Sequence, residues 1–235
     1  MPLPTNSRYN RPMCGRFSQL PSQSPFQAPR PELADVFARI PARYNLAPGQ
    51  TASVLIKPNA KIELATLQWG LLPFWAKELS LASHTFNARL DTVDDKPSFR
   101  AAFKARHAVI PMHGYYEWQK TPDGKQPYYF QAEKPNEILW VAGLWEPRHA
   151  LQIDASNGSF TLITQPAEGL PASIHNRMPV FMDSQDVEKW LSLKPGPSMP
   201  FLLTRSLPAL KVHLVSKRVN AARDDDVGLI EAIVA

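Results

Sequence analysis

Three segments far apart in the chain carry side chains that could do chemistry together. Cys14, the single cysteine of 235 residues, sits in Met13-Cys14-Gly15-Arg16-Phe17. A lone cysteine usually behaves as a small buried apolar residue. Gly15 and Arg16 are not a core-strand pattern, however, and a nearby guanidinium favours thiolate over thiol. Glu117 lies between aromatic residues in Gly114-Tyr115-Tyr116-Glu117-Trp118. In a strand that setting predicts partial burial, a raised carboxyl pKa and an acid/base role; the competing reading is an outward-facing glutamate on an amphipathic strand. His175-Asn176-Arg177-Met178-Pro179 places a histidine beside an arginine in a loop, which by itself reads as a surface turn. One cysteine, one glutamate and one histidine that converge in space make a nucleophile with acid/base partners.

Around these stand residues suited to an anionic or aromatic ligand. Asn87-Ala88-Arg89 reads either as a turn with a solvated arginine or as a bidentate phosphate fork. In Trp69-Gly70-Leu71-Leu72-Pro73-Phe74-Trp75 the default reading is core, but Pro73 ends the strand and leaves Phe74 and Trp75 on a loop. Aromatics on a loop beside arginines form a stacking platform for unpaired bases. The six histidines and one cysteine show no metal-ligand spacing, so neither a metal nor another cofactor is expected.

These residues need a scaffold, and the patterning predicts a β-rich one. Segments 51–56, 64–72, 107–112, 128–131, 138–144, 160–164, 180–182 and 212–215 are short, rich in β-branched or aromatic residues and bounded by turn signals. Leu33, Val36, Phe37 and Ile40 recur at one helical face, with Pro31 and Glu32 at the start. A second helix is expected from Ser184 to Leu193, with Val187, Trp190 and Leu191 inward and Asp183 or Ser184 as its cap. Residues 1–12 are polar and proline-rich, an appendage to one α+β domain over 13–235. The 24 prolines imply many short elements.

Charge and cysteine usage bound the setting. The net charge of +5 permits an anionic partner without requiring one. Residues 1–31 hold Arg8, Arg11, Arg16 and Arg30 and no acid, which reads as a basic tail or a phosphate-contacting arm. A single cysteine excludes an internal disulfide and fits a reducing compartment. No stretch is apolar enough to span a membrane, and residues 1–12 lack a signal-peptide core. The expectation is a cytoplasmic protein, nucleoid-associated in a bacterium, and a monomer without an obligate protein partner.

Taken in order, these segments resemble the SOS-response-associated peptidase family, the SRAP domain. Met13-Cys14-Gly15-Arg16-Phe17 looks like the family's start. Tyr44-Asn45-Leu46-Ala47-Pro48-Gly49-Gln50, the Trp69–Trp75 segment, Phe86-Asn87-Ala88-Arg89, Gly114–Trp118, Ala142-Gly143-Leu144-Trp145, Thr164, His175–Pro179 and Val219-Asn220 follow. One motif is weak evidence; their order over about residues 13–223 is specific. His113 departs from the pattern, standing where an acidic residue is usual; it is a second titrating group or a turn residue. The resemblance implies a single β-rich domain with barrel-like sheets and a few short helices. It implies covalent capture of abasic sites in single-stranded DNA. On that resemblance Cys14 takes the nucleophile's place, Asn87 lies beside the cysteine and sugar, and Glu117 and His175 are the acid/base pair. Arg16, Arg89 and Arg177 hold DNA phosphates, while Pro48, Trp75 and Thr164 line the DNA groove.

An abasic aldehyde is best captured by a cysteine at a chain terminus, where amine and thiol together close a thiazolidine. Behind thirteen residues Cys14 has no such amine. Either translation begins at Met13 and that methionine is removed, or the chain cuts its own Met13–Cys14 bond; the first needs no extra chemistry. Two other readings fit the same residues: a thiol peptidase using Cys14 and His175, and a noncovalent single-strand-binding module using Trp75, Arg16 and Arg89.

Overall fold

The computed structural model describes residues 14–21, 37–152, 156–193 and 198–233. Five strands close into a ring. Strands β3 (Thr51–Ile56) and β4 (Glu63–Trp69) form a hairpin, and β3 pairs with β6 (His107–Met112). β6 pairs with β9 (Leu139–Pro147), β9 with β10 (Gly158–Pro166), and β10 returns to β4, the last contact being parallel. Closure removes the unpaired edges that an open sheet would expose. Alternate residues of the ring strands point to opposite sides. Val54, Leu67, Ile110, Val141 and Phe160 join one apolar cluster, while Leu55, Val109, Trp140, Leu144 and Ile163 join another.

A second, antiparallel sheet covers the ring, in the order β13 (Leu210–Leu214), β8 (Gly124–Ala132), β7 (Gly114–Thr121), β1 (Phe17–Gln19), β2 (Arg43–Leu46). Phe17, Tyr115 and Phe130 on this sheet share a cluster with Trp69 and Phe160 of the ring. Phe17 meets Trp69 edge-on at 4.9 Å and Trp69 stacks on Phe160 at 6.2 Å. Short strands β5 (Asn87–Arg89), β11 (Arg177–Pro179) and β12 (Phe181–Met182) extend the edges of β10 and β9. Helices α1 (Arg100–Ala105), α2 (Gly169–Ala172), α3 (Val187–Ser192) and α4 (Ser198–Leu203) are each one or two turns long. This is the β-rich, barrel-like α+β domain the sequence predicts.

All eight expected strands are present. The expected strand 64–72 ends at Trp69, because Gly70 takes φ +132 and a Cβ there would lie 2.5 Å from the Ala82 carbonyl oxygen. The second helix forms with Val187, Trp190 and Leu191 buried. Its cap differs from expectation: the Asp183 side chain makes no capping bond, and a backbone turn from Asp183 O to Asp186 N–H starts the element. Most of the expected first helix lies outside the described residues; within them, Phe37 and Ile40 are buried in the core.

One polar hub ties the second sheet to the C-terminal segment. Asn45 is fully buried, and its Nδ2 donates to the carbonyls of Val219, Ala221 and Asp224 at 2.8–3.2 Å. Its Oδ1 accepts a 2.9 Å hydrogen bond from Arg16 Nη1. Asp225 reciprocates by accepting from Arg43 and from the backbone N–H groups of Tyr44 and Asn45. Stranding buried carbonyls costs about 1–3 kcal/mol per group. Asn45→Ala is therefore expected to lower unfolding free energy by about that amount, read as a lower urea midpoint. An unchanged midpoint would remove Asn45 from this role.

Candidate active site

Strand pairing brings the sequence-distant residues together. β1 and β7 run antiparallel with Phe17 opposite Tyr115 and Ser18 opposite Gly114, and Arg16 O accepts from Tyr116 N–H at 3.0 Å. Continuing that register sets Glu117 across from the Cys14-Gly15 turn. Cys14 has a left-handed φ of 43°, uncommon for a residue with a side chain, which folds its N–H back onto Glu117. The Cys14 N to Glu117 Oε1 distance is 2.8 Å. Asn87, at the start of β5, donates from Nδ2 to Cys14 O at 3.5 Å.

His175 arrives from the opposite sheet. Its N–H bonds to Pro171 O at the turn of α2, and its ring Nδ1 accepts from Arg177 N–H at 3.2 Å. That Nδ1 lies 3.8 Å from Glu117 Oε1, longer than a hydrogen bond but close enough for the two groups to feel each other's charge. Arg177 is buried, its Nη2 donating to Thr164 O at 2.5 Å and to Thr164 Oγ1 at 3.0 Å. Thus Arg177 and Thr164 stand behind the site as a locked pair, with Arg177 Nε buried and unbonded.

Burial sets the site's electrostatics. Glu117 is 2% exposed, and desolvation pushes its carboxyl up to about 7, against the opposing pull of hydrogen bonds from Cys14 and Trp118. The Cys14 thiol is driven well above its ordinary range, first by burial, then by the Glu117 charge and hydrogen bond; Arg177 pulls weakly the other way. Tyr115, stacked on Phe130, keeps a buried hydroxyl without a hydrogen-bond partner, and burial followed by Cys14 and Glu117 raises it as well.

A cleft of about 420 Å³ opens over this cluster, with Glu117 and His175 in its lining. Arg16 and Pro48 form part of its wall, as do Phe86, Trp118 and Asn220. Arg16 is fixed by Asn45 and by the carbonyls of Val219 (2.5 Å) and Asn220 (3.2 Å). Trp118 Nε1 donates to Asn220 Oδ1 at 2.8 Å.

Of the sequence-predicted site residues, Cys14, Asn87, Glu117 and His175 come together, with Thr164 and Arg177 behind and Arg16 and Pro48 on the wall. Trp75 stands apart, and Arg89, opposite Thr164 in the β5–β10 pairing and near enough for its charge to act on Arg177, is turned to the surface. Arg89 is exposed and ion-paired with Asp91 at 2.6 Å. Trp75 is 43% exposed and lines a separate depression with Lys77 and His84. Phe74 is also exposed, as expected of the loop after Pro73. His113 is structural: its Nδ1 accepts from Leu20 N–H at 3.0 Å, its own N–H bonds to Ser18 O, and burial lowers its pKa to about 4. Asn45, Tyr115, Trp118 and Asn220 stood in the recognised motifs, but sequence reading assigned them no site role, because those roles depend on backbone partners or on strand register. Among the described residues no group of three or more His, Cys, Asp or Glu side chains is placed to hold a metal, and no helix is long and apolar enough to cross a membrane.

The chain has relatives of known name. It is 31% identical over 193 residues to the abasic site processing protein YoqW of Bacillus subtilis (strain 168), covering 80% of this chain and 85% of that one. It is 31% identical over 224 residues to the abasic site processing protein HMCES of Xenopus tropicalis, covering 81% of this chain and 66% of that one. A crystal structure of a Bordetella bronchiseptica protein superposes with a TM-score of 0.69 at 25% identity, covering 86% of this chain and 100% of that chain. A Bacteroides thetaiotaomicron protein shares the fold at a TM-score of 0.68 and 23% identity, covering 86% of this chain and 90% of that chain. Residues 13–222 match the family described as SOS response associated peptidase (SRAP), and the chain belongs to that family.

Proposed function

We propose that this protein captures abasic sites in single-stranded DNA covalently, through the sulfur and the backbone nitrogen of Cys14 once that nitrogen is a free amine. The observation that carries the reading is the 2.8 Å separation of Cys14 N from Glu117 Oε1 at the base of a cleft shared with His175. The names of the relatives, abasic site processing proteins, support the substrate.

The chemistry balances without a cofactor. The neutral amine adds to the open-chain aldehyde carbon, giving a carbinolamine. Glu117 in its protonated form donates to the departing hydroxyl, water leaves, and the resulting carboxylate takes the nitrogen proton, so that a neutral imine forms and Glu117 is again protonated. The sulfur then adds to the imine carbon while its proton passes by way of Glu117 to the nitrogen, closing a five-membered thiazolidine. A carboxyl near 7 and an α-amine of about 7.7–8.0 are matched closely enough for this traffic at neutral pH. His175 assists sugar ring opening or reversal of the adduct. Asn87 steadies the Cys14 carbonyl, and Arg177 with Thr164 braces the site from behind. Arg16 and Pro48 on the cleft wall, Arg89 at the surface and the exposed Trp75 offer phosphate and base contacts.

The state of the thiol favours this amine-first reading over a thiol peptidase. A peptidase cysteine works as a thiolate with a depressed pKa, whereas Cys14 is buried and pushed the other way. The free amine requires residues 1–13 to be absent, leaving an N-terminal extension outside the working domain. Translation from Met13 followed by removal of that methionine achieves this. Self-cleavage is the other route: the thiol attacks the Met13 carbonyl, the Cys14 nitrogen leaves as the amine, and water hydrolyses the thioester to release residues 1–13, with Glu117 and His175 moving the protons.

Two outcomes test the reading. Protein beginning at Cys14 is expected to give a denaturation-resistant gel shift with abasic single-stranded DNA. Cys14→Ser, or a chain whose intact mass shows residues 1–13 retained, gives only salt-sensitive binding. A stable adduct from the chain with residues 1–13 attached would falsify the thiazolidine mechanism.

The rate of adduct formation should be bell-shaped in pH. It rises as the amine loses its proton and falls as Glu117 loses the proton it donates, on passing about 7. Glu117→Gln should slow capture by roughly 10²–10⁴-fold and abolish the alkaline descent. A descent that survives in that variant excludes Glu117 as the acid.

A further inference from the structure

The β7–β8 hairpin projects past the site, and its register sets Lys120 directly opposite Lys125. Trp118 opposite Pro127 occupies the same face two pairs earlier. Both lysines are exposed and both line the cleft that holds Glu117 and His175. Like charges directly opposed across a strand pair are destabilising unless something between them is negative. Among the described residues neither lysine makes an ion pair, and Asp123 at the hairpin turn pairs with neither. No ion pair among the described residues therefore offsets the repulsion at this rim.

We propose that Lys120 and Lys125 form a cationic fork for the phosphodiester backbone of single-stranded DNA, holding the strand next to the nucleotide that enters the cleft. Lys120 stands three positions on from Glu117 along β7, roughly 10 Å of strand. That offset sets the fork over phosphates flanking the captured nucleotide and away from its sugar. The hairpin is rigidly based: Trp118 is tied to Asn220, and Tyr128 Oη donates to Gln119 Oε1 at 3.0 Å. A rigid base lets two flexible ammonium groups converge on one anionic chain at little ordering cost to the backbone. The cleft also carries Arg16, so its wall and its rim have the same sign.

This inference rests on single-stranded DNA being the substrate, and the test separates the two. Binding of a fluorescein-labelled oligothymidine is measured by anisotropy over a series of salt concentrations. Each phosphate contact to a single strand contributes about 0.7 to the slope of log affinity against log salt. Lys120→Ala/Lys125→Ala is expected to weaken binding and to reduce that slope by about 1.4, while Lys120→Arg/Lys125→Arg keeps the wild-type slope. Both positions are exposed, and matching thermal unfolding curves verify the fold of each variant. A wild-type protein that binds while the alanine variant keeps the same slope overturns the fork alone. An arginine variant that loses as much slope as the alanine variant overturns the role of charge. A wild-type protein that does not bind the oligonucleotide overturns the DNA reading itself.

Discussion

Glu117 is a carboxylate almost wholly withdrawn from water, and withdrawal alone favours its neutral form. What keeps it near the point of balance is a small set of donors: the Cys14 thiol first, then the Cys14 backbone N–H at 2.8 Å and the Trp118 backbone N–H. The Cys14 contacts exist because β1 and β7 pair in one register and Cys14 turns back through a left-handed φ. A shift of one residue in the ladder would flip Glu117 to the other face of its sheet. The apolar packing of Phe17, Tyr115 and Phe130 against the ring therefore fixes chemistry as well as fold, since it holds the register that places the carboxylate.

The two sheets divide the labour. The covering sheet supplies Cys14 and Glu117 from neighbouring strands. The ring side supplies Asn87, Thr164 and Arg177 at the end of β10, with His175 in the turn leading into β11. The site lies at their seam, where a parallel strand, β5, and an antiparallel one, β11, both abut β10. Strand ends at a seam give precise backbone placement and leave one side open, which here becomes the cleft.

Long β-branched or aromatic runs bounded by turns were legible from sequence, and those runs include the five ring strands. The short pieces were not. β1 (Phe-Ser-Gln) and β5 (Asn-Ala-Arg) have too few residues for a period to emerge, and both owe their extended form to a neighbour's ladder. Helix α1 buries only Ala102 and Phe103, too little to register as an amphipathic face. The catalytic candidates were legible because several motifs occur in a specific order. Their supports were less so: Asn45 and Arg16 act on backbone carbonyls, which carry no side-chain signature, and the opposition of Lys120 and Lys125 is visible only once the hairpin register is known. Arg177, read as a phosphate contact, lies buried against Thr164, an environment no linear spacing reveals.

The Asn45 hub also sets a schedule. Arg16 bonds to carbonyls 203 and 204 residues further along the chain. During synthesis the segment bearing Cys14 leaves the ribosome well before the carbonyls that lock its neighbour. Contacts of such separation are slow to form because a long loop must close before any bond rewards it. The cleft wall beside Cys14 is thus completed only when nearly the whole domain has been made, so a partly synthesised chain presents a thiol without a finished pocket.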